Sequence, residues 1–420
     1  MTTAVDLNLG DAYADIVSHD TYLADVPHAT FARLRREEPV SWINEPGTNR
    51  GFWAVTKYHD VVEVSRAFDP YTVTAGIRLE EMNPEETEAR RTMMEHDPPE
   101  HSRLRRLVQR GFTPRVVATY ERAFRELTRY TLDRVLAGGD FDFVLGVSRE
   151  LPIRILCRLL GVPDRDADQM VAWGDRMISH SDPEYTEFVI DKVDTDEWRL
   201  LPFRSPTALE MFRYAEQLAL ERRAHPQDDI ISTLLTAEPE GQPLTDLEFK
   251  NFFTLLAVAG NETTRHTISH GLLSLIAHRQ QMEQLREDPS LYESATEEIL
   301  RYATVTMHFR RTASRDTELR GVPIKAGDKV VIWYISANFD EDRFPDPYRF
   351  DIRRSPNDHL AFGSGRHRCL GEWLARLEIR VTFEELLPRL ASIELTGPVE
   401  RLRSNFIRGI KHMPVRVILA

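Results

Sequence analysis

The sequence predicts a mainly α-helical protein with small β-sheets near both ends of the chain. Apolar residues recur with helical spacing from about residue 99 to residue 302. Short runs typical of strands occur early, at 51–56, and late, at 329–334 and 413–419. No internal repeat, low-complexity segment or Gly/Ser-rich linker divides the chain, so we expect a single domain over residues 1–420.

Three long segments between these elements are predicted to be irregular or adaptable loops. Residues 69–98 are acidic and carry methionines, and residues 179–206 contain three prolines and scattered aromatic side chains. Residues 338–357 contain three more prolines, which block regular structure. Loops of this length are usually functional or mobile. Turn-forming residues at 320–323 and 325–328 are interpreted as hairpin connections between late strands.

The segment 248–279 is predicted to form one long helix whose middle is unusual. It contains the run Ala259-Gly260-Asn261-Glu262-Thr263-Thr264, in which glycine and threonine are poor helix formers. Gly260 reduces the bulk on one side, so a flat ligand or a diatomic molecule could approach the backbone. Thr263 can donate to a carbonyl one turn earlier or to a bound oxygen species, and Glu262 can relay protons. Taken alone, the run would be better explained by Gly260 as a packing contact and Thr263 as part of a solvated helix face.

The composition argues against several function classes. The formal net charge is −13, from 54 Lys and Arg residues against 67 Asp and Glu residues, which argues against nucleic acid as a general partner. No apolar run reaches the length of a signal peptide or membrane anchor, so we expect a cytoplasmic protein. The two cysteines, Cys157 and Cys369, form no C-x-x-C pair, which argues against a zinc site. Cys157 lies in an apolar run and is interpreted as a packing residue.

The most informative run lies near the C-terminus: Phe362-Gly363-Ser364-Gly365-Arg366-His367-Arg368-Cys369-Leu370-Gly371. A cysteine follows a loop broken by glycines, and an apolar helical pattern begins behind it. A thiolate at a helix N-terminus is stabilised by the helix dipole and by unpaired N–H groups. Gly363 and Gly365 permit sharp bends close to a flat ligand. The arrangement suits a thiolate that binds a metal from one side, and the alternative is a buried core cysteine.

Taken together, Phe362, His367, Cys369 and the glycines form a pattern that resembles the haem loop of the cytochromes P-450, the haem-thiolate monooxygenases. The run at 259–264 resembles the oxygen-activation groove of the central helix in that family. The resemblance covers nearly the whole chain and implies the cytochrome P-450 fold, with haem b between that helix and Cys369. It implies that Cys369 is the iron ligand, whose thiolate favours O–O cleavage. Glu262 and Thr263 would then deliver protons to the bound oxygen.

The resemblance also implies which residues hold the haem. His101 and Arg105 lie four apart on one helix face. With Arg311 and His367, they match positions that hold the haem propionates, because an arginine pairs with a carboxylate in bidentate fashion. Arg310 competes with Arg311 for this role. Three further residues are expected to contact the haem: Ala259, Gly260 and Phe362.

A pair of opposite charges, Glu298 and Arg301, stands three residues apart on one helix face. Such pairs are common on surfaces and carry little information alone. In the cytochromes P-450, however, a pair with this spacing is buried behind the haem loop and joins an arginine from the proline-rich segment. The resemblance implies that this arginine is Arg354, with Arg353 as the second choice. The expected role is folding and haem retention.

The resemblance implies an enzyme that hydroxylates an apolar small molecule, such as a steroid, a terpenoid or a fatty-acid-like compound, with O₂. Electrons would come from a separate ferredoxin and its ferredoxin reductase. A peroxide-driven haem-thiolate enzyme and a non-catalytic haem-binding sensor are the alternatives, although the pair Glu262 and Thr263 favours O₂ activation. An acidic ferredoxin is expected to dock on the basic side chains Arg105, Arg106, Arg110, Arg366 and Arg368.

The residues expected to line the substrate pocket are mostly apolar, and no nucleic acid or membrane anchor is expected to take part. Several of them are explained equally well as plain core residues. The expected lining consists of Ile77, Leu79, Leu255, Val258, Ala259, Met307, Phe309, Phe406 and Ile407.

Overall fold

The computed structural model describes residues 16–45, 50–137, 139–236 and 244–420. Among these residues, no helix is both long enough and apolar enough to cross a membrane. The α-helices within these ranges are α1 (His28–Glu37), α2 (Tyr58–Arg66), α3 (Pro84–Arg90), α4 (Glu100–Val108), α5 (Pro114–Leu136), α6 (Glu150–Leu160), α7 (Ala167–Ile178), α8 (Thr207–Ala224), α9 (Ile230–Thr236), α10 (Asp246–Ala277), α11 (Arg279–Glu287), α12 (Tyr292–Ala303), α13 (Tyr334–Ala337) and α14 (Glu372–Leu386).

The strands form small sheets beside the helices. The strands in the described ranges are β1 (Val40–Asn44), β2 (Gly51–Val55), β3 (Tyr71–Thr72), β4 (Asp140–Asp142), β5 (His308–Ala313), β6 (Thr317–Leu319), β7 (Val322–Ile324), β8 (Lys329–Trp333), β9 (Leu390–Leu395), β10 (Glu400–Arg401), β11 (Ile410–His412) and β12 (Pro414–Leu419). A five-stranded sheet has the order β1-β2-β8-β5-β3, and β2 and β8 pair in parallel. The other sheets are β4-β12-β9, β10-β11 and β6-β7.

The centre of the fold is α10, a helix of 32 residues that begins with a capping box. The side chain of Thr245 accepts from the backbone N–H of Glu248, and the Glu248 carboxylate accepts from the N–H of Thr245. Helices α6, α7, α8, α12 and α14 all pack against α10, and buried residues occur on all its faces. A helix enclosed in this way is part of the core rather than a surface element, so its mid-helix residues are held in fixed positions.

Helices α10, α12 and α14 approach one another most closely at Gly271. A Cβ atom added there would lie 2.8 Å from Cζ of Phe383 and 2.9 Å from Cγ2 of Ile299. Both distances are shorter than a carbon–carbon contact allows. Glycine is therefore required for this crossing.

The predicted strands at 51–56, 329–334 and 413–419 are confirmed as β2, β8 and β12, and the predicted long helix is confirmed as α10. The turn at 320–323 connects the paired strands β6 and β7. The hairpin predicted at 325–328 is wrong, because β7 pairs only with β6 among the described strands, whereas β8 pairs with β2 and β5.

The predicted loop 69–98 is partly helical, since it contains α3. The helix begins with a second capping box, in which Asn83 and Glu86 satisfy each other's backbone N–H groups. Residues 179–206 and 338–357, all of which the structure describes, contain no α-helix or strand, as predicted. The interpretation of Cys157 as a packing residue is confirmed, because its side chain is fully buried in the main apolar cluster.

Candidate functional site

Cys369 lies in the loop before α14, where its backbone N–H donates to the carbonyl oxygen of Phe362 at 2.9 Å. The glycines of this loop have left-handed φ angles, +69° at Gly363 and +75° at Gly365. A Cβ on Gly365 would lie 2.6 Å from the carbonyl oxygen of Ser65, so both conformation and space require glycine. The loop therefore holds the cysteine in one position above the start of α14.

Cys369 lines an internal cavity between α10 and this loop. Its deep position raises the pKa of the thiol, and the backbone N–H of Gly371 and the guanidinium of Arg105 oppose this effect. A buried thiol of raised pKa forms a thiolate when it coordinates a metal ion, because coordination removes the proton. The environment thus fits a metal ligand better than a free nucleophile.

The cavity extends from α10 to α14. Its walls come from the middle of α10, from α4 and from the Cys369 loop. The residues of the predicted haem site that line it are His101, Arg105, Ala259, Gly260, Thr263, Phe362, His367 and Cys369. The fold thus brings together eight residues that the sequence places in three separate segments.

One edge of this cavity carries buried donors that lack acceptors. The rings of His101 and His367 lie 4.2 Å apart between centroids, and neither ring nitrogen of His101 has a hydrogen-bond partner in the described chain. Burial lowers the pKa of His101 to about 4 and that of His367 to about 2, so both rings are neutral at pH 7. Arg105 donates no side-chain hydrogen bond to the described residues. Because buried donors require acceptors, this edge fits the carboxylates of a haem.

The structure favours Arg311 over Arg310 for the same edge. Arg311 is buried beside His367, where its charge helps to lower the pKa of that ring, and its Nη1 donates to the carbonyl oxygen of Arg310 at 2.8 Å. Arg310 faces another way and pairs with Glu81 at 3.3 Å. Arg311 does not line the cavity wall, so its contact with a propionate stays a prediction.

Thr263 and Glu262 point to different sides of α10. The Thr263 hydroxyl donates to the carbonyl oxygen of Ala259 at 3.0 Å and lines the cavity. The Glu262 carboxylate is fully buried on another face, 2.6 Å from Nη2 of Arg265. Arg265 also pairs with Asp175, which accepts from Arg149 at 2.6 Å. Glu262 therefore does not line the cavity and belongs to a buried chain of charges that ends at the half-exposed Arg149.

A second cavity adjoins the first one and shares Met94, Leu255, Ala259, Thr263, Thr306 and Phe309 with it. Its remaining lining is largely apolar near α10. The residues of the predicted substrate pocket that line it are Ile77, Leu255, Val258, Ala259, Phe309, Phe406 and Ile407.

Two predicted pocket residues are wrong. Leu79 does not line either cavity and packs against the apolar cluster around Phe31 and Trp333. Met307 is fully buried in that cluster, because its backbone N–H is bonded to the carbonyl oxygen of Phe406 and its own carbonyl accepts from Ile335. These backbone contacts fix the Met307 side chain away from the cavity.

The sequence analysis missed several residues of the second cavity, and most of them are polar or lie in irregular segments. Only the methionine content of residues 69–98 gave a signal for Met82 and Met94. No local pattern distinguishes the others, which include Arg78, Glu80, Arg90, Glu95, Phe203 and Thr306.

The pair Glu298 and Arg301 lies buried behind the Cys369 loop, as the resemblance implied. Nε and Nη2 of Arg301 each donate to Glu298 at 2.8 Å, and Nε of Arg354 lies 3.1 Å from the same carboxylate. The backbone N–H of Asp351 adds a fourth contact at 2.9 Å. The choice of Arg354 over Arg353 is confirmed. Glu298 therefore ties α12 to the proline-rich segment that precedes the Cys369 loop.

Comparison with known proteins gives consistent results. The family model described as Cytochrome P450 matches residues 207–406. A steroid C26-monooxygenase of Mycolicibacterium smegmatis is 38% identical over 412 residues, which cover 96% of this chain and 93% of that protein. A methyl-branched lipid omega-hydroxylase of Mycobacterium tuberculosis is 40% identical over 401 residues, covering 93% and 91%. The structure of a Mycobacterium marinum cytochrome P450 in complex with pseudoionone superimposes with a TM-score of 0.87 at 38% identity, covering 99% of this chain and 100% of that chain.

Proposed function

The chain belongs to the cytochrome P450 family and is a monooxygenase, and on this premise we propose that it hydroxylates an elongated lipid or steroid, with haem b as its cofactor and a separate ferredoxin as its electron donor. The observation that carries the proposal is the junction of the two cavities at Thr263. One cavity contains the Cys369 thiol and the donors for haem carboxylates. The other is mostly apolar near that junction, which suits a substrate of this class. The names of the two relatives, a steroid monooxygenase and a methyl-branched lipid hydroxylase, agree with this proposal.

Each residue of the site has a defined task in this proposal. Cys369 would hold the haem iron through its sulfur, while His101, Arg105 and His367 would bind the propionates. When bound, the haem supplies the reductive activation of O₂. Thr263 would donate a hydrogen bond into the junction, and apolar side chains such as Val258 and Phe309 would orient the substrate and exclude water.

Thr263→Ala is expected to keep substrate affinity and to lower the product formed per NADH several-fold. The hydroxyl is the polar group of α10 at the junction, and without it reducing equivalents are expected to be released as peroxide. Product, NADH and peroxide are measured in the same reaction. Thr263→Ser serves as the control, because it retains the hydroxyl and should retain most of the coupling. Equal coupling in Thr263→Ala and the parent would exclude Thr263 from proton delivery.

The proposed ferredoxin surface lies around α4, on the side of the molecule that carries the Cys369 loop. Arg106 and Arg110 are exposed there. Arg368, closer to Cys369 in the sequence, forms an ion pair with Glu372 at 2.6 Å. Arg366 stacks on Phe68, with its guanidinium carbon 4.8 Å from the ring centroid. Arg106 and Arg110 are therefore the best probes of docking.

Arg106→Glu and Arg110→Glu are each expected to slow reduction by ferredoxin about tenfold at low ionic strength, because charge reversal removes electrostatic steering. Substrate affinity should not change. Stopped-flow reduction rates measure the effect, and added salt should slow the parent more than the variants. Arg416→Glu, on β12, is the control. Reduction rates that do not depend on charge reversal or on salt would contradict this docking surface.

The proposed reaction is tested with the haem-loaded protein, ferredoxin, its reductase and NADH. A steroid, a methyl-branched lipid and a fatty acid are incubated under ¹⁸O₂, and products are identified by mass spectrometry. We expect one labelled hydroxyl group in a product of at least one class. Turnover with peroxide alone at the same rate would contradict the need for ferredoxin. We also propose a cytoplasmic location, where the free thiols Cys157 and Cys369 would remain reduced.

A further inference from the structure

One part of the second cavity is charged. Arg78, Glu80, Arg90 and Glu95 line it. Apolar side chains separate this charged end from Thr263, so a substrate that filled the cavity would meet two different environments. The charged end plays no part in holding the haem.

Most charges of this group are paired with one another. Nη1 of Arg90 donates to Oε1 of Glu80 at 3.0 Å, and Nη2 of Arg204 donates to Oε1 of Glu86 at 2.6 Å. Nε of Arg204 also lies 3.0 Å from Oε1 of Glu80. Burial would raise the pKa of Glu80, but Arg78 and Arg90 lower it to about 2, so this carboxylate is ionised. The guanidinium groups of Arg90 and Arg204 thus form ion pairs with the carboxylates of Glu80 and Glu86.

Arg78 is the exception in this group. Its nearest carboxylate is that of Glu80, at 3.4 Å from its Nη2, and within the described chain its side chain donates no hydrogen bond to the protein. Burial lowers its pKa, and the charges of Glu80 and Glu95 act in the opposite direction. Its guanidinium carbon lies 4.7 Å from the centroid of the Phe203 ring, which holds it in place. A largely enclosed, oriented guanidinium that makes no hydrogen bond to the protein can bind an anion.

The third carboxyl group at this end, that of Glu95, is bound by Thr92, whose hydroxyl and backbone N–H both donate to it. Burial raises the pKa of Glu95, and these hydrogen bonds oppose the effect. His180, near Glu80, is kept neutral because burial lowers its pKa to about 3. Asp196 contacts Arg204 from the solvent side, with most of its side chain exposed.

The backbone that brings Phe203 to Arg78 is strained. Phe203 and Arg204 have φ angles of +59° and +48°, in the left-handed region that non-glycine residues rarely adopt. Such a conformation persists only where its contacts stabilise it. Here those contacts are the Phe203 ring over Arg78 and the pairing of Arg204 with Glu80 and Glu86.

We propose that Arg78 binds the carboxylate of an elongated acid, which lies along α10 with its other end at Thr263. This inference rests on the proposed function and specifies its substrate. Asn251 and Thr263 both line the second cavity, and twelve residues of α10 correspond to about 18 Å. Asn251 contacts the backbone carbonyls of Ala89 and Arg91, next to the charged end. A chain anchored at Arg78 would thus be oxidised near its far end.

The test compares acids with their neutral esters. Hexadecanoic acid and its methyl ester, and a steroid carboxylic acid and its methyl ester, are titrated into the haem-loaded parent and its variants by calorimetry. We expect the parent to bind at least one acid roughly tenfold or more tightly than the matching ester, the factor that one charge-assisted hydrogen bond supplies. The class of acid that shows this preference identifies the source of the carboxylate.

The variants separate recognition from folding. Arg78→Gln should remove the preference for the acid and leave ester affinity unchanged, while Arg78→Lys should retain part of it. Arg199→Gln removes a surface ion pair with Glu85 and should behave as the parent. Equal acid and ester affinities in the parent, or equal losses of both in Arg78→Gln, would overturn the inference. Hydroxylation of the esters by the parent would in either case leave the proposed function standing.

Discussion

Replacing Cys369 with serine is expected to reduce monooxygenase turnover to background and to remove the red-shifted Soret band of the reduced CO adduct. The thiol is the only cysteine sulfur on the cavity wall between α10 and the loop before α14, among the residues that the structure describes. A serine hydroxyl has the same shape but is a weak ligand for iron and does not supply the electron density of a thiolate.

Cys157→Ala provides the matched control. Cys157 is fully buried in the apolar cluster and does not line either cavity, so its loss should lower stability by only about 1 kcal/mol and leave the spectrum unchanged. A parent spectrum typical of histidine ligation, or a thiolate spectrum that persists in Cys369→Ser, would contradict the assignment of the ligand.

The second large effect is expected for Glu298→Gln, which should lower the free energy of unfolding by about 3–5 kcal/mol. The substitution preserves volume but removes the charge that faces Arg301 and Arg354. Both guanidinium groups are buried there, with 0% and 9% of their side chains exposed, and would be left without a counter-charge. Urea denaturation of the purified protein measures the change through its midpoint.

Glu293→Gln on the same helix is the control for this variant. Glu293 is exposed, so its substitution should change the free energy of unfolding by less than about 0.5 kcal/mol. Haem content is measured alongside, because the Glu298 network lies behind the Cys369 loop. Equal urea midpoints for the two variants would show that the Glu298 network adds nothing to stability.

The parts of the site that the sequence predicted well are those in which neighbours along the chain determine the geometry. The run from Phe362 to Gly371 forms a loop whose bends depend on its own glycines, and α10 follows from continuous helical spacing. The opposite orientations of Glu262 and Thr263 are also a local property, since successive helical residues lie about 100° apart. This helical spacing alone predicts that Glu262 faces away from a cavity that Thr263 lines.

The parts that could not be predicted depend on contacts between distant segments. Arg78 faces the cavity because Phe203, from another loop, stacks on it. Met307 turns inward because its backbone bonds to Phe406 and Ile335, although Phe309, two residues later, lines the cavity. Irregular segments have no repeating pattern of side-chain directions, so the sequence does not predict which way such a side chain points. The α3 helix differs, because its capping box was readable from Asn83 and Glu86.

Gly271 affects the spacing of α10 and α14, two of the helices that line the cavity beside Cys369. Gly271 lies eight residues beyond Thr263 on one continuous helix, or about 12 Å along its axis. Any other amino acid would add at least one carbon between α10 and α14, both of which contribute side chains to the cavity beside Cys369. A larger side chain at position 271 is therefore expected to widen that cavity by pushing the two helices apart. The substitutions tolerated there would measure how much widening cofactor binding allows.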